Sequence, residues 1–275
     1  MKVGVFHPRL NTCGGGEWLA INVIDSLRKN GHKVIILTDE RINQTKFIRT
    51  FGQKLNNDGE IIFPFHFFKR GDLYNLYTDM ISCLVLKSKC DVVIDTYSRL
   101  VLPGVDVIYM HYPLFNKQGP QQKTFAGLKN TLYLLLYNAY QNKIRKKTSK
   151  IIFANSKFTF NAIETNLDLQ PQLLYPPLSP FFLQSKDTIS NCQKFDQVVT
   201  VSRFSSEKNL MIIPHIAKQL ENVKFIVIGN LNDDDVYSML LETIKNCDVQ
   251  KRVLLMADLP KSRLRQILML SLIHI

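Results

Sequence analysis

Short apolar and β-branched runs alternate with helical patterns along nearly the whole chain, and they do so in two separate series. Such alternation specifies parallel sheets covered by helices on both faces. In the first series the candidate strands are residues 2–6, 33–38, 92–95, 105–111, 151–155 and 173–175. Between the first two, Leu19, Ala20, Val23, Ile24 and Leu27 share one face of a helix, and Gly31 stands where a left-handed cap belongs. Residues 39–91 are less regular, with a candidate short strand at 63–68 and a helix at 73–87. From 176 to 196 the pattern lapses into Pro, Ser, Asn and Asp, the composition of a connection. The second series has strands at 198–201, 224–229 and 252–256, with helices after Asn209, Asp233 and Pro260. Pro214 should kink or delay the first of these helices. The expectation is an α/β chain of two doubly wound, Rossmann-like domains, residues 1–175 and 197–275, joined by 176–196. Only three strands fit the second series where five or six are usual, so that domain is expected to be incomplete.

Composition narrows the class. With 275 residues, 45% hydrophobic and 21% charged, the chain has the make-up of a globular protein, not a disordered or fibrous one. The opening apolar run is too short for a signal peptide, and charge or turn residues interrupt every longer run before it spans a bilayer. A cytoplasmic location is expected. The five cysteines are scattered and form no CxxC pair, which indicates neither a disulfide framework nor a zinc site. The net charge of +12 is concentrated: residues 107–163 contain nine Lys or Arg and no acid. Such a block faces anionic lipid, nucleic acid or a phosphorylated substrate, or is simply a solvated face. Within it Phe125, Leu128, Leu132, Leu135, Leu136, Ala139, Tyr140 and Ile144 make an apolar side that Lys143, Arg145, Lys146 and Lys147 close with charge. That pattern suits a helix in a membrane interface, and equally a core helix whose basic end complements its dipole.

Two motifs carry chemistry. Gly14, Gly15 and Gly16, followed by Glu17, lie between strand one and a helix, where bare backbone and free N–H groups favour phosphate. The spacing is not GxGxxG, and a tight structural turn is the alternative; only Asp39 or Glu40 ends the second strand with an acid. The stretch 201–209, Val-Ser-Arg-Phe-Ser-Ser-Glu-Lys-Asn, brings Arg203 and Lys208 to one loop at the carboxyl edge of the second sheet, as a diphosphate requires. A surface turn with Glu207 paired to a neighbouring lysine is the alternative there. The three acids 233–235 are read as a helix start, not as a metal site.

The triple glycine, His111-Tyr112-Pro113, Asn155-Ser156, Tyr175-Pro176-Pro177 and the Ser-Arg-Phe-x-x-Glu-Lys-Asn stretch follow one another in an order that resembles GT-B glycosyltransferases of family 4. Within that family the combination is most similar to the eukaryotic and archaeal mannosyltransferases that extend lipid-linked oligosaccharides. The resemblance implies two Rossmann-like domains facing a cleft, and metal-independent hexosyl transfer with retention. No cofactor or metal is implied. It implies a nucleotide-sugar donor, GDP-mannose favoured, a lipid-pyrophosphate-linked glycan acceptor, and peripheral attachment to the cytosolic face of an anionic membrane. By the same resemblance Arg203 and Lys208 grip the donor diphosphate, Gly14, Gly15, Gly16 and Glu17 form the phosphate and acceptor loop, and His111 lies beside the transferred sugar. The family's Glu-x7-Glu motif, which orients the donor sugar and ribose, does not occur before the sequence stops, so weak or absent turnover is expected of the chain as given. Rival readings are a sugar-nucleotide epimerase and a non-catalytic basic protein that binds membrane or nucleic acid. No RNA-binding strand motif supports nucleic acid as a partner.

Overall fold

The computed structural model describes residues 1–63, 72–97, 100–113, 150–178, 195–231, 234–259 and 261–274. The chain divides into two compact units, Met1–Pro177 and Leu178–Ile275. The expected strand at 63–68 falls largely outside the described residues, as do the basic apolar stretch with Lys143, Arg145, Lys146 and Lys147, most of the expected connection, and Cys192.

The first unit is built on a parallel seven-stranded sheet. Its strands are β1 (Lys2–Phe6), β2 (Lys33–Thr38), β3 (Gly59–Ile62), β4 (Val92–Asp95), β5 (Val107–Met110), β6 (Ile151–Ala154) and β7 (Gln172–Leu173), in the order β3-β2-β1-β4-β5-β6-β7. Helices α1 (Gly15–Lys29), α2 (Gln44–Phe51), α3 (Asp72–Lys87) and α4 (Lys157–Leu167) complete its described elements. Because successive residues of a strand face opposite sides, Val5 joins Ala20, Ile24 and Ile36 in one core, and Phe6 joins Leu86, Val93 and Ile108 in the other. Each such fully buried aliphatic or aromatic side chain contributes about 1.5–3 kcal/mol. The sheet order reverses between β1 and β4, and crevices that receive ligands lie at the carboxyl ends of strands at such reversals.

The second unit has a four-stranded parallel sheet of β8 (Phe195–Val201), β9 (Lys224–Gly229), β10 (Val253–Ala257) and β11 (Ser271–His274), in the order β10-β9-β8-β11. Helices α5 (Ile212–Gln219), α6 (Asp234–Asn246) and α7 (Lys261–Met269) connect them. Three strands were expected from the sequence; the fourth is β11. It pairs with β8 in parallel through Ser271↔Phe195 and Ile273↔Val198, and the buried Ser271 hydroxyl donates to the Gln197 carbonyl at 2.9 Å. The reversal of strand order therefore recurs here, between β8 and β11. Pro214 sits in the first turn of α5, where a missing N–H costs nothing, so it delays the helix and does not kink it.

Close approach explains two glycines. A Cβ on Gly229, the last residue of β9, would lie 1.8 Å from the Ser202 carbonyl oxygen, whereas one on Gly4 would meet the Leu86 side chain, its Cγ at 2.6 Å. Backbone cannot yield as a side chain can. Gly229→Ala is therefore expected to lower unfolding free energy by roughly 3 kcal/mol and Gly4→Ala by roughly 1–2 kcal/mol in urea titrations. Equal losses would show that the β9 end does not hold the Ser202 backbone so closely.

Candidate functional site

In the first unit the chemistry collects at the carboxyl ends of β1, β4 and β5. The chain leaves β1 at His7, which is 1% exposed, and passes through a 3-10 turn, Leu10–Thr12, before Gly14 opens α1. None of Gly14, Gly15 and Gly16 adopts positive φ. A Cβ on Gly15 would meet nothing within 4 Å, and one on Gly16 would reach His111 Nε2 at an ordinary 3.5 Å. The chain's own packing thus does not demand glycine at 15 or 16. A turn forced by local sterics is not what these residues make; they leave bare backbone at a helix start, next to His111.

Glu17, three residues into α1's first turn, is 8% exposed. One carboxylate oxygen accepts the Gly14 N–H at 2.5 Å, as in half of a capping box, and the other lies 3.3 Å from His7 Nε2. Burial alone pushes this carboxyl up. The His7 hydrogen bond and charge, helped by hydrogen bonds from Thr12 and from Glu17's own backbone, outweigh it and bring the carboxyl down to about 2. His7 Nδ1 meets the Thr96 hydroxyl at 2.9 Å.

His111 directly follows β5 and is partly buried. Its Nε2 lies 3.2 Å from the Thr96 carbonyl, and its own carbonyl accepts from Thr159 Oγ1 at 2.9 Å. Burial, together with the neighbouring His7, lowers the imidazole's affinity for a proton, against the opposing effects of the Thr96 carbonyl and Glu17. A carbonyl only accepts, so Nε2 carries the hydrogen and the neutral ring presents Nδ1 as a bare acceptor. The Asn155-Ser156 motif serves this geometry locally: Ser156 caps α4 by accepting the Thr159 N–H, which aims Thr159 back at His111. The Tyr175-Pro176-Pro177 motif supplies the Pro177 carbonyl to Trp18 Nε1 at 3.0 Å, tying the end of the unit to α1. Asp39, just past β2, is pushed up to about 7 by burial, with Arg9 opposing and Glu40 adding to the rise.

In the second unit Arg203 and Lys208 lie on the loop after β8. The loop is pinned from beneath: Ser202 N–H donates to the Ile228 carbonyl at 2.9 Å, Phe204 N–H to the Asn230 carbonyl at 3.2 Å, and the Phe204 ring is fully buried edge-on to Tyr237. Phe204 and Gly229 set the loop's height above the sheet, and neither is a polar signal that sequence reading would single out. Arg203 pairs with Glu207 at 2.6 Å, so that acid's partner is the arginine and not a lysine. Both side chains are more than half exposed, and such a pair contributes little to stability. Lys208 ends a 3-10 turn, Ser206–Lys208, which Asn209 closes in the left-handed conformation. Asp234 and Asp235 stand in the first turn of α6. Among the described residues, no three His, Cys, Asp or Glu side chains gather as metal ligands, and no helix is long and apolar enough to cross a membrane.

His7 and Thr96 were not singled out by the sequence reading. The available signal was position alone: each follows directly on a strand that borders the reversal.

The chain matches no protein-family model, and no curated protein matches it. Its fold, in contrast, is shared with several solved glycosyltransferases. A sucrose-phosphate synthase from Thermosynechococcus elongatus superposes with a TM-score of 0.64 at 8% identity, covering 100% of this chain and 74% of that one. HepE from Anabaena, solved in complex with UDP and glucose, gives 0.61 at 15% identity over 98% of this chain and 72% of that one. A glycosyltransferase from Rickettsia africae gives 0.58 at 12% identity over 99% and 72%. The fold class is therefore α/β of the Rossmann-like GT-B type.

The Glu17 carboxylate links the site to acid stability. The unfolded carboxyl takes its proton near 4.5 and the native one near 2, so the stabilisation is present above pH 4.5 and is lost as pH falls toward 2. In Glu17→Gln that dependence is removed. The gap in unfolding free energy between wild type and variant should narrow steadily from pH 4.5 to 2 in thermal or urea titrations. A gap that does not change with pH would show that Glu17 is not held ionised.

Proposed function

We propose that this chain is a retaining glycosyltransferase that moves a hexose from a nucleotide sugar to a lipid-linked oligosaccharide or other glycan. Mannose from GDP-mannose is the favoured donor, on the sequence resemblance. The observation that carries the reading is the basic loop of Arg203 and Lys208 at the carboxyl edge of β8, beside the strand reversal. Cations there neutralise a diphosphate as the bond between sugar and phosphate breaks, which is the work a metal does in other transferases. The fold supports the reading, since HepE was solved with UDP and glucose. In the first unit the open backbone at Gly15 and Gly16 is suited to close approach by phosphate, and the bare His111 Nδ1 to a hydrogen bond from a sugar hydroxyl. The buried negative charge of Glu17 favours an acceptor hydroxyl over a second phosphate next to Gly14. Retention requires the new bond to form on the face the diphosphate leaves.

Calorimetry with GDP, UDP and their sugars, beside transfer assays with GDP-mannose and UDP-glucose, tests this. Arg203→Ala and Lys208→Ala should each weaken nucleoside-diphosphate binding at least about tenfold, equivalent to 1.4 kcal/mol. His111→Ala should lower turnover about a hundredfold with donor affinity little changed. Unaltered binding in both loop variants, or epimerised donor formed without acceptor, would overturn the transferase reading.

For the acceptor's lipid we propose peripheral binding to an anionic membrane surface. It is supported by the nine Lys or Arg and the absence of acids across 107–163, including Lys143, Arg145, Lys146 and Lys147. Flotation with vesicles containing phosphatidylserine should retain the protein at low salt and release it as salt rises. Equal retention on neutral vesicles would count against it.

A further inference from the structure

We propose that His7 and Glu17 are positioning residues: acting through Thr96, they hold His111 in a single tautomer with Nδ1 free for substrate. Four residues make one hydrogen-bonded line, its last link through the Thr96 main chain. Glu17 Oε1 meets His7 Nε2 at 3.3 Å, His7 Nδ1 meets Thr96 Oγ1 at 2.9 Å, and the carbonyl of that same Thr96 meets His111 Nε2 at 3.2 Å. The direction of each bond follows from its chemistry. A carboxylate only accepts, so Nε2 of His7 bears the hydrogen; a hydroxyl both donates and accepts, so Thr96 Oγ1 continues the line at Nδ1. The hydroxyl also lies 3.3 Å from the Phe6 carbonyl, which accepts the Thr96 N–H at 3.2 Å as well. His7, at 2.9 Å, is the shorter of the hydroxyl's two contacts and ties the Thr96 side chain into the line. The peptide of Thr96 is fixed in consequence, and its carbonyl points at His111.

Burial makes the line specific. Thr96 is fully buried, and His7 and Glu17 are 1% and 8% exposed. Water is not at hand to replace a lost partner, so a change at one end passes to the next group. Glu17 adds a second constraint: its other oxygen holds Gly14 N–H, so the same side chain sets the glycine turn and the histidine line. His111 and Gly16 are then placed against each other by one carboxylate. The Tyr97 ring, edge-on to His7 at 5.4 Å, closes the remaining side.

The test is tautomer-resolved NMR of the 15N-histidine-labelled full chain, which reads long-range proton–nitrogen couplings and needs no substrate. In wild type, His7 should carry a hydrogen on Nε2 and His111 should show the single Nε2–H tautomer. In Glu17→Gln the amide keeps its oxygen on Gly14 and turns its NH2 to His7, so His7 should switch to Nδ1–H and His111 become a mixture. Thr96→Val should also give a mixture at His111, and Thr96→Ser, which keeps the hydroxyl, should restore the single form. A wild-type mixture, or an unchanged single tautomer at His111 in Thr96→Val, would overturn the proposal. Should Glu17→Gln not fold, the two Thr96 variants decide the matter alone. The effect on rate rests on the transferase reading: Glu17→Gln should lower kcat about tenfold with donor Kd within twofold. If wild type binds no nucleotide sugar, that reading fails while the tautomer result stands.

Discussion

Everything else in the first unit depends on parallel pairing of β1 with β2 on one side and β4 on the other. Parallel strands put all their carboxyl ends on one edge, so every loop that follows a strand gathers there. From β1 the chain steps outward to β2 and β3 and then crosses back to β4 on the other side of β1, and ligand crevices form at the carboxyl ends of strands where the order reverses in this way. His7, the glycine turn and Thr96 stand at that crevice because they are the residues that follow β1 and β4. His111, one strand further out, reaches it from the end of β5. The same pairing rule, repeated by β9, β8 and β11, places Arg203 and Lys208.

Electrostatics then divides the two edges. In the first unit a carboxylate is buried at a helix start and held ionised by Gly14 and His7, beside the neutral imidazole of His111. In the second unit Arg203 and Lys208 are exposed cations, and Arg203 pairs with the Glu207 carboxylate.

Most of the strands were legible because buried parallel strands read as continuous apolar runs; β1, β2, β4 and β9 begin and end where those runs do. Two were not. β3 is an edge strand with alternating burial and the sequence Gly-Glu-Ile-Ile, whose apolar signal is weaker than that of the phenylalanines that follow. β11 follows α7 after a single residue, so its apolar residues merge with the helical pattern before them. Only pairing with β8 shows it to be a strand.

The sequence by itself determined the two α/β series, the glycine turn, the basic loop and the resemblance that links them, because these are local patterns of residue type. Tertiary structure decided what the groups do to one another. His7 and Thr96 are 89 positions apart, and nothing in either neighbourhood announces their hydrogen bond. The same holds for Gly229, whose missing Cβ matters only because Ser202 lies 1.8 Å from where it would be. Proton positions and close approaches are pairwise properties, and they come into being only when the sheet brings distant strand ends to one edge.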